Sequence, residues 1–178
     1  MKKYIPLFLL AFASFFIYSC DDSNDTIQDT DTISSVLQIT RSFQFDSQSQ
    51  TYFIKQGING MQSTDMVLVY MQTSTFNSSP VWELLPVYMY VSNDVNDTRQ
   101  VGYRFDFIQN DIQIYAEPMS NFSLSNTPLD VLSNKTFRIL IVPANGISKM
   151  SSDGVNYKDY KSVIKFYNLD DSNPKILK

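Results

Sequence analysis

The chain has 178 residues, is 43% hydrophobic and 18% charged, and carries a formal net charge of −4. That length suits one folded domain, and the acidic balance argues against nucleic acid and anionic membrane surfaces as partners. There is no histidine and one cysteine, which removes histidine-based nucleophilic triads, nearly all zinc sites and any internal disulfide.

The chain opens as a secretory leader. Lys2 and Lys3 form a basic start, Tyr4 to Tyr18 is apolar apart from Ser14, and Ser19 precedes the lone Cys20. This three-part layout is that of a signal peptide over 1–19, and its apolar run falls short of the ~20 residues that span a bilayer. The stretch Ile17-Tyr18-Ser19-Cys20 resembles a bacterial lipobox, although Tyr18 is larger than the residues usual there. The resemblance implies cleavage before Cys20 and acylation of its thiol and its new amino group. A lone thiol in an oxidising compartment is a liability, and acylation removes it. Each buried methylene contributes ~0.8 kcal/mol, so two or more chains make a stable anchor. The expectation is a palmitate-type lipid anchor at Cys20 in the cell envelope, at the outer membrane, facing the periplasm or the surface.

Residues 20–35 follow as an acidic, polar segment, DDSNDTIQDTDTISS after the cysteine. So few apolar side chains cannot offset the entropy of ordering, and the segment reads as a flexible tether. Its two Asp-Thr-Ile triplets, at Thr26 and Thr32, match the acceptor pattern of O-glycosylation in Bacteroidota-type envelope proteins; low complexity accounts for them equally well.

From residue 36 to 178 the pattern is that of one β-rich domain. In VLQITRSFQF, Leu37, Ile39, Phe43 and Phe45 alternate with polar residues, and Arg41 interrupts the apolar side. Period two predicts a half-buried strand. TYFIKQ follows, and then the turn signal Gly57-Ile58-Asn59-Gly60. MVLVYM, residues 66–71, is apolar on both faces, as expected of a central strand covered on both sides. In VWELLPVYMY the even positions hold Trp82, Leu84, Pro86, Tyr88 and Tyr90, and the odd ones Val81, Glu83, Leu85, Val87 and Met89. Pro86 cannot donate to a ladder, so this segment is expected at an edge, split or bulged. VGYRFDF alternates with Val101, Tyr103, Phe105 and Phe107 inward, and with DIQIYA it forms the best hairpin, with Gln109-Asn110-Asp111 as a tight connection. FRILIV, residues 137–142, predicts another inner strand.

Two helical segments are expected. TPLDVLS allows a short turn starting at Pro128. In YKDYKSVIKFY, residues 157–167, Tyr157, Tyr160, Ile164 and Tyr167 recur at helical spacing opposite Lys158, Lys161 and Lys165. About seven short strands and a closing helix predict a mainly β fold, an antiparallel β-sandwich-like domain with a C-terminal amphipathic helix.

The runs VLVYMQ, VWELLPVYMY, FRILIVPA and YKDYKSVIKFYNLDDSNPK, together with the leader, resemble a group of Bacteroidota lipoproteins of unknown function. Some members carry collagen-like repeats before this domain; a chain with five glycines does not. The group has no established activity, so the resemblance implies no catalytic residue.

No glycine-rich phosphate loop or nucleophile elbow is present. Ser162 and Lys165 have a Ser-x-x-Lys spacing but fall on the solvent face of the predicted helix. A carboxylate pair is the route left for hydrolysis, with Glu83, Asp106, Asp111 and Glu117 as the acids; pairing of Glu83 with Arg104 or Arg138 is the blander outcome. Asp94, Asn96 and Asp97 offer oxygens without the glycine or distal glutamate of a calcium loop. Trp82, Tyr88 and Tyr90 form an aromatic row, either a platform for a glycan or an envelope protein or a second core layer. The sequence therefore points to a lipid-anchored, non-catalytic binding or structural module without cofactor or metal. A carboxylate-dependent, glycosidase-like envelope hydrolase is the alternative.

Overall fold

The computed structural model describes residues 35–142 and 154–178. The leader 1–19, Cys20 and the acidic segment with Thr26 and Thr32 lie outside the described residues. Among the described residues ten strands appear in chain order: β1 (Ser35–Arg41), β2 (Gln44–Asp46), β3 (Thr51–Gly57), β4 (Met66–Phe76), β5 (Ser79–Leu84), β6 (Val87–Tyr90), β7 (Gln100–Ile108), β8 (Asp111–Pro118), β9 (Lys135–Val142) and β10 (Lys175–Ile176). A single 3-10 turn, Leu124–Asn126, precedes β9, and helix α1 (Tyr160–Phe166) precedes β10.

The strands form two five-stranded sheets, β10-β1-β9-β4-β5 (sheet 1) and β2-β3-β8-β7-β6 (sheet 2). Sheet 2 is antiparallel throughout; sheet 1 is mixed, because β10 runs parallel to β1. The main core lies between the sheets. Leu37, Ile39, Val67, Val69, Phe137, Ile139 and Ile141 meet Ile54, Val101, Tyr103, Ile112 and Ile114 there. Tyr103 is fully buried and donates its hydroxyl to the Val131 carbonyl at 2.8 Å, so its polar tip is satisfied inside.

Most of the expected strands form, with instructive departures. β4 and β9 are interior strands whose alternate residues enter different cores, the reason both read as apolar on two faces. The VGYRFDF–DIQIYA hairpin pairs Ile108 with Asp111 across a two-residue loop, and Asn110 takes φ 72° there. VLQITRSFQF, read as one strand, is two. β1 ends at Arg41, the chain crosses sheets through Ser42-Phe43, and β2 joins sheet 2. Phe45 and Phe107, expected inward, are 51% and 42% exposed, because β2 is a short edge strand and β7 runs on past the core. TPLDVLS forms no helix; the turn sits just upstream, and Asp130 caps the Leu132 and Ser133 amides in a local turn.

α1 is shorter than its periodicity suggests. Asp159 is its N-cap and accepts from the Lys161 amide, so Tyr157 falls outside. The buried residues are Tyr160, Val163 and Tyr167; Ile164 is only half-buried.

The segment VWELLPVYMY is split at Pro86, where the Leu85–Pro86 peptide bond is cis. β5 is the edge of sheet 1 and β6 the edge of sheet 2.

Candidate functional site

The odd residues Leu85, Val87 and Val91 of this segment enter the core between the sheets. The even residues therefore face out of the sandwich, but on opposite sides of it, because the chain changes sheet between them. Trp82 lies on the outer face of sheet 1, and Tyr88 and Tyr90 on the outer face of sheet 2. The single aromatic row read from the sequence does not exist.

The outer face of sheet 1 is covered. Val36, Leu68, Tyr70, Leu140 and Val142 pack against Tyr160, Val163, Tyr167 and Leu169 in a second core. Arg138 fastens it: Nη1 donates to the Tyr160 hydroxyl at 2.6 Å and to Asp171 at 3.0 Å, and the guanidinium lies 4.6 Å from the Trp82 ring centre. The Trp82 and Tyr160 rings are 5.9 Å apart. Tyr70 donates to the Tyr157 carbonyl at 2.7 Å. Burial raises the ionisation of Tyr70 and Tyr160 well above the ordinary phenol range.

Among the described residues no element covers the outer face of sheet 2, and neither core cluster reaches it. Tyr88 and Tyr90 are 56% and 57% exposed, and Met119 is exposed beside them. Gly102, paired with Tyr88, permits this surface: a Cβ there would stand 2.8 Å from the Met119 sulfur and 3.2 Å from the Tyr88 ring. On the same face Arg104 lies 4.1 Å above the Tyr115 ring and grips Glu117 through Nε and Nη2 at 3.1 and 2.7 Å. This pairing raises the Arg104 pKa, so the guanidinium stays charged. Tyr115 donates to Gln113 at 2.7 Å. The surface thus alternates exposed rings with fixed planar polar groups.

At the end of β6 the face opens into a cavity of about 320 Å³ lined by Tyr90, Ser92, Asn93, Asp94, Val95 and Thr98, with Asp97 at its wall. The residues weighed as calcium ligands shape this loop. Asp94 accepts from the Asn96 amide at 2.9 Å, and Asp97 binds Arg99 through two bonds of 2.9 and 2.8 Å. The Arg99 hydrogen bonds hold Asp97 down at about 2. A second cleft, about 400 Å³, lies near the β2–β3 edge between Phe45, Tyr52 and Phe122.

The four carboxylates weighed for hydrolysis are dispersed or paired. Glu83 accepts from the Thr73 hydroxyl at 2.6 Å and does not meet Arg104 or Arg138. Asp111 pairs with Lys55 at 3.2 Å, and Asp106 and Glu117 flank Arg104 at 3.8 and 2.7 Å. Ser162 donates to the capping Asp159 at 2.5 Å. Arg104, Tyr115, Gly102 and Met119 were missed as members of the open face. The outward parity of Arg104 and Tyr115 was legible, but only strand order brings them beside Tyr88. The chain matches no family model, no curated protein and no solved structure.

Proposed function

We propose that this chain is a lipid-anchored cell-envelope protein whose folded part is a non-catalytic glycan-binding module, with the open face of sheet 2 as its binding surface. The observation that carries the reading is the contrast between Tyr88 and Tyr90, more than half exposed, and the helix-covered rings of sheet 1. A sugar ring presents an apolar C–H face and a rim of hydroxyls, and suits a flat ring beside fixed hydrogen-bonding groups. Tyr88 and Tyr90 supply the rings, and Glu117, Asn93, Asp94 and Thr98 the polar partners. Each carboxylate is held by a partner, Glu83 by Thr73, Asp111 by Lys55, and Asp106 and Glu117 by the one guanidinium of Arg104, which favours binding over hydrolysis with a free acid and base facing one bond. Attachment rests on the leader and on Cys20.

The test is a glycan array probed with the full chain and with a Tyr88→Ala/Tyr90→Ala variant. Wild type is expected to retain a set of glycans that the variant loses at unchanged thermal stability. An array blank for wild type, or identical for both, overturns the binding reading. Labelled fatty acid is expected in wild type and absent from Cys20→Ala; equal labelling overturns the anchor.

A further inference from the structure

The chain has four arginines, and three hold carboxylates: Arg99 binds Asp97, Arg104 binds Glu117, and Arg138 binds Asp171. Among the described residues Arg41 has no ion pair, and its Nε is sealed from water without a hydrogen-bond partner there. It is also the residue that interrupts the apolar side of β1. Leu37 and Ile39, four and two positions earlier, enter the inter-sheet core, so the same alternation brings Arg41 to the end of that core. An unsatisfied buried donor bears its full desolvation penalty, and a cation interrupting an apolar face adds to the burden.

The surroundings of Arg41 are built for a ligand. A cavity of about 320 Å³ opens where the chain crosses from sheet 1 to sheet 2, lined by Arg41, Ser42, Gln44, Ile54 and Lys55. Among the described residues no acid lines it, although the chain as a whole is acidic. Lys55 adds a second cation, with Asp111 held 3.2 Å from it. Gln44 and Ser42 add neutral hydrogen-bonding groups, and the Ser42 hydroxyl is fixed as acceptor from the Asn134 amide at 3.1 Å. β2 pairs with β3 only through Thr51–Phe53, so among the described residues no strand covers that edge of β3 at Ile54 and Lys55.

We propose that Arg41 is the anchor of an oxyanion-binding site that takes one carboxylate or phosphate group of a small ligand. A planar guanidinium matches such groups with two parallel hydrogen bonds, and an acid bound here would give Arg41 the counter-charge that the other three arginines already have. The cavity has the size of a small-ligand site, and the net negative charge of the chain opposes polyanions, so the ligand carries few charges. The site is separate from the Tyr88–Tyr90 face and stands or falls independently of it.

The test uses the full chain in non-ionic detergent, labelled with ¹⁵N-arginine, so that four side-chain Nε–H resonances are read. It is titrated at constant ionic strength with glucuronate, inorganic phosphate or neutral glucose. The Arg41 resonance is expected to shift saturably with a Kd of about 1 mM or tighter, while the other three and the glucose series stay still. A response to glucuronate alone assigns a sugar-borne carboxylate, one to phosphate alone a phosphorylated ligand, and one to both a general oxyanion site. By titration calorimetry with the same acids, Arg41→Lys, which keeps the charge but loses the fork, is expected to bind about tenfold or more weakly than wild type. Tyr88→Ala/Tyr90→Ala is expected to leave it unchanged. An Arg41 resonance that neither acid moves, or that sodium chloride moves equally, overturns the proposal; because the reading is made on wild type, it does not depend on a variant folding.

Discussion

The two outer faces of the sandwich start from similar material and end differently. Each carries aromatic side chains from the segment 81–90 and an arginine stacked on a ring: Arg138 on Trp82 in sheet 1, Arg104 on Tyr115 in sheet 2. On sheet 1, α1 and the chain after it lie over these groups, and Arg138 is spent on Tyr160 and Asp171. On sheet 2 the same chemistry stays in solvent. A ring under a helix contributes to stability through the water it excludes; a ring in the open contributes little until something covers it. The face of sheet 1 is therefore structural, and the face of sheet 2 is where recognition is to be sought.

The largest test of this contrast removes the cover. Truncation after Asn156 deletes Tyr160, Val163, Tyr167 and Leu169, buried side chains worth about 1.5–3 kcal/mol each. That loss rivals a domain's whole stability of about 5–15 kcal/mol, so the truncated chain is expected to lack a cooperative melting transition in circular dichroism. A folded truncation product would mean that α1 is an accessory and that the two faces are alike.

Arg138→Met asks how much of the cover depends on its fastening. It removes hydrogen bonds to Tyr160 and Asp171 while keeping apolar bulk. A loss of about 2 kcal/mol in denaturant unfolding is expected, reduced if solvent reaching half-exposed Asp171 screens the pair. The matching change on the open face, Arg104→Met, is expected to cost under about 1 kcal/mol, since its partners are exposed. Equal costs would erase the distinction.

Alkali separates the faces by their phenols. Tyr70, Tyr103 and Tyr160 have ionisation raised above the ordinary phenol value, chiefly by burial. A group whose folded pKa is raised contributes its full stability below the unfolded pKa, about 10 for tyrosine, and loses it as pH rises beyond that. Absorbance at the tyrosinate band is expected to show a distinct late step, in which Tyr70, Tyr103 and Tyr160 ionise together with unfolding. One smooth step would contradict the buried assignment.

The smallest effect is expected at Tyr88 and Tyr90 themselves. Their double replacement by Ala is expected to change stability by about 0.5 kcal/mol or less, as for exposed positions generally, while glycan retention falls. A marked drop in melting temperature would show that these rings are packed in a way their exposure does not suggest.

Much of the fold was legible because period two survives any strand order. Val101, Tyr103, Ile112 and Ile114 point inward wherever their hairpin sits, the doubly apolar run at 66–71 had to be interior, and the run at 137–142 read as another inner strand. Pro86 announced a break, since it has no amide hydrogen to give a ladder. Asp159 lies within the stretch read as helical, and because capping satisfies the first amides it overrode the periodicity that began at Tyr157.

Alternation assigns a side chain to one or the other face of its own sheet, and by itself the sequence determined that much: the β class, the interior strands, the hairpin at Asn110, the shared parity of Trp82, Tyr88 and Tyr90, and the anomaly at Arg41. Which outside each residue reached was decided only by the tertiary structure. The chain passes from sheet 1 to sheet 2 at Ser42-Phe43 and again at Leu85-Pro86, and residues of one parity on the two sides of a crossing face opposite surroundings. That is why Trp82 lies beneath a helix while Tyr88, six residues on, lies in solvent. Arg41 is left at such a crossing without a carboxylate, because the pairing of charges depends on which distant strands meet there, and local pattern carries no record of that.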